Sequence, residues 1–109
     1  MKPIAFLGSS LDDLRGFPGS ARRDAGHQLD RVQRGFDPTD WKPMPAVGPG
    51  VREIRIRDAA GAFRVIYTVS RPEAVYVLHA FQKKSQQAAR RDLDLAEDRL
   101  RGLVRRAPE

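Results

Sequence analysis

Three consecutive segments in the second half of the chain alternate apolar and polar residues, and this pattern constrains the fold more than any other feature. The segments are residues 51–58, 62–69 and 74–82, and each has the length and the two-residue period of a β-strand. Turn-like sequences at 58–61 and 70–73 separate them. The pattern therefore predicts an antiparallel meander of three strands.

The segments before the meander predict one more strand and two helices. Residues 4–7 have the composition of a short first strand, and Ser9 or Ser10 can cap the helical turn that follows. Residues 21–34 have helical periodicity, and Gly35 is a suitable residue to end that helix. Between residues 36 and 50, four prolines and two glycines predict a loop.

A C-terminal helix is predicted over residues 85–105. Its apolar residues recur at helical spacing and are expected on one side: Leu93, Ala96, Leu100, Leu103 and Val104. With 109 residues, the chain is long enough for one domain with one core, spanning residues 1–109. The order β-α-α-β-β-β-α predicts an α+β fold in which helices pack on a small antiparallel sheet.

Composition narrows the classes of function. Twenty Lys and Arg against 14 Asp and Glu give a formal charge of +6, which favours a polyanionic partner such as nucleic acid; a merely solubilising surface is the alternative. The absence of cysteine excludes disulfides and thiolate chemistry, and two histidines make a histidine-built metal site improbable. No segment has the apolar length of a signal peptide or a membrane span, so we expect a cytoplasmic protein without a membrane partner.

The two turns also predict which side chains share a face of the sheet. They place Asp58 opposite Gly61 and Val69 opposite Ala74. In this register six apolar residues of the three strands fall on one face, as a buried face requires. They are Ile54, Ile56, Phe63, Val65, Leu78 and Ala80, joined by Tyr67 and Tyr76 as packing residues.

The other face collects charged and aromatic residues: Glu53, Arg55, Arg57, Arg64, His79 and Phe81. The predicted register places Arg64 directly between Arg55 and His79, and like charges in opposing positions destabilise a sheet. Either Glu53 and helix carboxylates neutralise this cationic row, or the row binds an anion. A phosphate suits the second reading because guanidinium groups can contact it in a bidentate manner.

Two lysines follow at the end of the third strand. Lys83 and Lys84 would ordinarily be interpreted as solvent-exposed charges, but here they extend a row that is already cationic. Strand alternation places Lys83 on the Arg64 face. Taken alone, His79 would be typical of a buried core histidine whose hydrogen bonds are satisfied. Beside Arg64 it becomes a candidate for proton transfer. Trp41 is expected to pack within the predicted loop, with base stacking as the alternative.

Four short motifs carry a resemblance to a known family. They are Val-Arg-Glu-Ile-Arg at 51–55, Phe-Arg-Val-Ile-Tyr at 63–67, Val-Leu-His-Ala-Phe-Gln-Lys-Lys-Ser-Gln at 77–86 and Ala-Glu-Asp-Arg at 96–99. The third is quite specific, whereas the Glu-Ile-Arg element alone is weak. Over about residues 51–100 the chain resembles the HigB/RelE-like toxins of type II toxin–antitoxin systems, in their phage-derived Gp49-like branch.

The resemblance implies a RelE-like fold and a metal-independent endoribonuclease that needs no cofactor and cleaves mRNA, usually on the translating ribosome. It also implies an antitoxin partner from a neighbouring gene, commonly a helix-turn-helix protein, in a toxin–antitoxin hetero-oligomer. A non-catalytic basic module that binds nucleic acid or a partner protein is the alternative.

In this family's reaction the ribose 2′-hydroxyl attacks the adjacent phosphate. By position in the cationic row, Arg64 and Arg55 are expected to stabilise the charge of the transition state, and His79 and Lys83 to transfer protons. The remaining candidates are expected to bind RNA or ribosome: Lys84, Arg57 and Arg52.

Overall fold

The predicted meander is present and forms the centre of a larger sheet. The computed structural model describes residues 1–86 and 89–105, and within them the chain forms five strands and three helices. These elements are β1 (Ile4–Phe6), α1 (Ser10–Arg15), α2 (Gly19–Gln33), β2 (Trp41–Pro43), β3 (Val51–Asp58), β4 (Gly61–Thr68), β5 (Val75–Lys83) and α3 (Arg90–Arg105). The α+β class is confirmed.

The sheet has the order β1-β5-β4-β3-β2, which differs from the prediction at both edges. β1 pairs with β5 in parallel, whereas the other three strand pairs are antiparallel, so the sheet is mixed. β2 lies within the segment that was predicted to be a loop, and it pairs with β3. Pro43 is tolerated there because β2 is an edge strand, where a missing N–H interrupts no second ladder.

The register is as predicted in the first hairpin and wrong in the second. Asp58 lies opposite Gly61 and Arg55 opposite Arg64. Between β4 and β5 the register shifts at Ile66, with Tyr67 opposite Val77 and Ile66 opposite His79. A β-bulge accommodates one extra residue in one strand, so that residues beyond it meet different partners. Arg64 therefore lies opposite Phe81 rather than His79.

Two apolar clusters stabilise the sheet, one on each face. On one face α1 and α2 cover residues of β3, β4 and β5, including Ile54, Val65 and Tyr67. On the other face α3 covers a cluster that includes Ile66, Leu78, Phe81 and Ala96. Five of the six apolar strand residues predicted to share a face do so; the bulge moves Leu78 to the α3 side.

Three further expectations need correction. Tyr76 is not a core residue, since its half-buried side chain donates a hydrogen bond to Glu73 at an exposed position. α3 begins at Arg90 rather than at residue 85, and residues 84–86 are not helical; residues 87 and 88 of the predicted helix lie outside the described part. Val104 is 59% exposed and does not belong to the buried side of α3.

No helix in the described part is long and apolar enough to span a membrane.

Candidate functional site

A groove of about 490 Å³ lies at the end of β5, and three of the predicted site residues line it. These are Arg64, Lys83 and Lys84. The strand pairing adds two more cations beside it, because Arg55 lies opposite Arg64 and Arg57 opposite Ala62, which also lines the groove. We call the surface formed by Arg55, Arg57, Arg64, Lys83 and Lys84 the cationic groove.

Arg64 is the most buried of these cations and has a carboxylate beside it. Its Nη1 donates to the carbonyl oxygen of Phe63 at 3.0 Å, and its Nε lies 3.4 Å from Oε1 of Glu53. Both side chains are buried. Neither Arg64 Nε nor Glu53 Oε1 makes a hydrogen bond within the described residues, so their attraction is electrostatic. Glu53 thus neutralises part of the row, as one of the two sequence readings expected.

The charges around Arg64 act on its pKa in opposite directions. Burial lowers the pKa of the Arg64 guanidinium, Glu53 and Asp40 oppose this, and Arg55 and Arg57 lower it further. An arginine stays protonated in proteins despite such effects. Arg55 and Arg57 thus act on Arg64 electrostatically, and Lys83 and Lys84 line the same groove, so the cationic groove is a favourable environment for an anion.

His79 lies on the same sheet face but belongs to a different set of contacts. Its side chain is 4% exposed, its Nε2 lies 2.7 Å from Oδ1 of Asp92, and its Nδ1 lies 3.2 Å from Nη1 of Arg99. An arginine only donates hydrogen bonds, so Nδ1 is the acceptor and the ring proton is on Nε2, where it is donated to Asp92. Both ring nitrogens thus have partners within the protein. The predicted row of Arg55, Arg64 and His79 is wrong, because His79 lies opposite Ile66 rather than Arg64.

Arg99 extends this set of contacts to two other elements. It donates to the carbonyl oxygen of Leu78 at 2.9 Å and to Oγ of Ser9 at 3.0 Å. Gly8 has a φ of +55°, and a Cβ at that position would overlap the Arg99 guanidinium. We call Ser9, His79, Asp92 and Arg99 the His79 cluster; it joins α3 to β5 and to the segment before α1. Arg99, the Arg of the Ala-x-x-Arg motif, was not among the predicted site residues.

Arg52 is separated from the other predicted cations. It lies opposite Tyr67, on the α2 side of the sheet, while Arg55 and Arg64 lie on the α3 side. Its Nη1 donates to Asp37 at 2.9 Å, and its guanidinium lies 4.2 Å from the centre of the Trp41 ring. Trp41 thus packs against Arg52, and the structure does not bring Arg52 into the cationic groove.

The described residues contain no group of three or more His, Asp or Glu side chains that could hold a metal ion.

A family model described as "Phage derived protein Gp49-like (DUF891)" matches residues 12–101. This range includes α2, every described strand except β1, and most of α1 and α3. A search of curated proteins found no match to the chain.

Proposed function

Because the chain belongs to the phage-derived Gp49-like family, we propose that it is the toxin of a type II toxin–antitoxin pair and cleaves mRNA on the translating ribosome. The family is associated with toxins of toxin–antitoxin systems, which are generally ribonucleases. The observation that carries the proposal is the cationic groove, where five cations from three adjacent strands and the residue after them lie on one surface and only Arg64 has a buried carboxylate beside it.

The chemistry that this groove fits is cleavage by the substrate's own 2′-hydroxyl. The 2′-oxygen forms a bond to phosphorus, the bond from phosphorus to the 5′-oxygen breaks, and a 2′,3′-cyclic phosphate and a 5′-hydroxyl result. The phosphate carries additional negative charge in the transition state, and fixed cations stabilise that charge most where water is partly excluded. The nucleophile comes from the RNA, so the protein's task is charge stabilisation and proton transfer.

We assign Arg64 and Arg55 to the charge of the transition state and Lys83 to proton transfer. Arg64 is held by Glu53 and by the Phe63 carbonyl, so its guanidinium is oriented before substrate arrives. Lys83 lies on the same face and lines the same groove, and its ammonium donates a proton to the leaving 5′-oxygen. Arg57 and Lys84 contact the RNA or ribosomal backbone.

His79 is better placed to support the fold than to transfer a proton. Its two ring nitrogens are engaged by Asp92 and Arg99, and Phe81 stacks on its ring at 5.3 Å between centroids. We therefore propose that His79 holds α3 in place and takes no part in catalysis. The 2′-hydroxyl proton passes to water or to a group of the ribosome, which gives a physical reason for cleavage on the ribosome.

The antitoxin is the partner that this proposal requires. An acidic segment of the antitoxin covering the cationic groove would exclude RNA, and charge complementarity would make its association fast and sensitive to salt. The toxin would then act in the cytoplasm whenever the antitoxin is depleted.

One observation favours the second candidate, a non-catalytic module that binds RNA through the same groove. The described residues that line the groove or flank it on β3 include no histidine, and the carboxylate of Glu53 is buried behind Arg64. Such a surface binds phosphates by charge alone. Induced expression with and without the neighbouring gene, followed by mapping of mRNA ends, separates the two candidates, because only the ribonuclease produces new ends.

Substitutions of the two lysines distinguish catalysis from binding more directly. Lys83→Arg keeps the charge but replaces the proposed proton donor with a group that stays protonated, so we expect cleavage to fall about 100-fold at unchanged affinity. Lys84→Arg is the matched control, and its cleavage is expected to stay within about threefold of the wild type. Single-turnover cleavage on programmed ribosomes measures both. Equal rates for Lys83→Arg and the wild type would remove Lys83 from the chemistry.

A further inference from the structure

On the α2 side of the sheet, away from the cationic groove, the hydroxyl proton of one buried tyrosine has no acceptor among the described residues. Tyr67 has 0% of its surface exposed, and the Arg52 guanidinium, which interacts with its Oη, can only donate hydrogen bonds. Buried polar groups in native proteins are almost always satisfied, by protein, water or ligand. The proton of the Tyr67 hydroxyl therefore indicates an acceptor that the described residues do not supply.

Tyr67 is one of the residues that line a cavity of about 270 Å³ between the sheet, the end of α2 and the N-terminal segment. Its polar lining consists of Tyr67, Arg52, Asp37 and Lys2, and its apolar lining includes Phe36 and Val69. One water molecule occupies about 30 Å³ in the liquid, so this space, which we call the Tyr67 cavity, is larger than a single water needs. Phe36 is 59% exposed, so its ring also faces solvent.

The charges of this lining define the kind of ligand. Lys2 and Arg52 are cations and Asp37 is an anion, so the lining carries one positive charge in excess. Lys2 Nζ is held by the carbonyl oxygens of Val69 and Arg71, at 3.2 and 2.9 Å, and Arg52 is held by Asp37. Burial raises the pKa of the Tyr67 hydroxyl, which therefore stays protonated and can donate at neutral pH.

We propose that the Tyr67 cavity is a carboxylate-binding site, in which the Tyr67 hydroxyl and the Arg52 guanidinium donate to the carboxylate while Phe36 and Val69 contact the apolar part of the ligand. A single negative charge balances the excess positive charge of the lining. A phosphate dianion fits less well, because it would overcompensate that charge and approach the carboxylate of Asp37. The site also gives Arg52 a role that the cationic groove does not.

The carboxylate can come from a free small acid or from a Glu or Asp side chain of a bound protein. The shared chemistry is tested with two probes: benzoate, with benzamide as its neutral counterpart, and N-acetyl-leucyl-glutamate amide, with the glutamine dipeptide as its neutral counterpart. Each is titrated into the purified full-length chain at constant ionic strength, while the backbone amide signals of Gly35, Phe36 and Asp37 are followed by NMR.

We expect saturable shifts of these signals with at least one of the two carboxylates and not with its neutral counterpart. Tyr67→Phe should weaken that binding about tenfold, since a hydrogen bond to a charged group is lost. The same substitution should leave the melting temperature unchanged or raise it, because it removes an unsatisfied hydroxyl. Tyr76→Phe is the matched control, since the Tyr76 hydroxyl bonds to Glu73 and does not line the cavity.

Saturation by benzoate supports a small-acid ligand, and saturation by the dipeptide alone supports a protein side chain. The proposal is overturned if neither carboxylate gives saturable shifts, or if the neutral counterparts bind equally well. It is also overturned if Tyr67→Phe lowers the melting temperature and leaves binding intact, because the hydroxyl would then have a structural partner. None of these outcomes depends on ribonuclease activity.

Discussion

The cationic groove and the His79 cluster lie on the same face of the sheet, but they use charge in opposite ways. In the groove, five cations lie on one surface, one of them has a buried carboxylate beside it, and two arginines lie directly opposite each other. In the cluster, His79 lies between an anion and a cation, and Arg99 makes further hydrogen bonds to Leu78 and Ser9. The first region has an excess of charge, whereas in the second the charges are balanced internally.

This difference separates a site from a structural anchor. Charges that partner each other inside the protein stabilise the fold but leave little capacity to bind a substrate. Like charges that face each other destabilise the fold, and an anionic ligand relieves that repulsion. Substitutions in the groove should therefore act mainly on activity, and substitutions in the cluster mainly on stability.

The largest effect is expected from Arg64→Lys in the groove. A lysine keeps the positive charge beside Glu53 but loses the planar guanidinium, so the fold should persist while the single-turnover cleavage rate falls roughly 100- to 1000-fold. Arg64→Ala is a poorer test, because it would leave the buried Glu53 carboxylate without a partner. Arg34→Lys, directly after α2, is the matched control, since Arg34 is exposed and pairs with Asp30. A wild-type rate for Arg64→Lys would mean that the groove only binds.

The next effect concerns His79 and is expected to have the opposite character. His79→Ala leaves Asp92 and Arg99 without their shared partner, so we expect the free energy of unfolding to fall by about 2 kcal/mol. The cleavage rate per folded molecule should stay within about threefold of the wild type. Urea denaturation and single-turnover kinetics of the same preparation provide both values. A 100-fold loss of rate with unchanged stability would return His79 to the catalytic residues.

The sequence predicted the elements of the fold better than their exact partners. Alternation and turn residues were sufficient for the meander and for the register of its first hairpin, because both are local properties. The bulge opposite Ile66 and Tyr67 could not be predicted, because the phase of β5 changes between Val77 and Leu78, two apolar residues that suit either buried face. β2 was missed because three residues that include a proline become a strand only when β3 pairs with them.

The same distinction applies to the candidate site. Arg55, Arg64 and Lys83 share a face by strand parity alone, and the structure brings them together. The partners of His79 come from α3, more than ten residues away, and periodicity does not specify which polar side chains of a helix meet a given strand. Glu53 was named as a neutralising group, but its 3.4 Å approach to Arg64 is a result of packing.

A smaller effect is expected from Gly8, which allows the His79 cluster to form. Gly8→Ala combines a φ of +55° with a Cβ that overlaps the Arg99 guanidinium, so we expect a loss of about 1.5 kcal/mol in the free energy of unfolding. Gly26→Ala in α2 is the matched control, because no atom lies within 4 Å of the added Cβ. There the helix should gain about 0.5–1 kcal/mol. If both variants are equally stable, the contact between Gly8 and Arg99 is not important for the cluster.

The smallest effect is expected from Asp58, where internal pairing occurs at an exposed position. Its carboxylate accepts hydrogen bonds from the Ser20 hydroxyl and from the backbone N–H of Ala60, and the pKa of Asp58 is lowered, first by Ser20 and then by Ala60. A lowered folded-state pKa means that the stabilisation is complete above the ordinary value of 3.8 and is lost as the pH falls through the folded-state pKa. Asp58→Asn should therefore be less stable than the wild type at pH 7, and the two should converge as the pH falls below about 3.8. Urea denaturation between pH 7 and pH 3 measures this difference, and a gap that stays constant over the range would show that the charge of Asp58 contributes nothing to the turn.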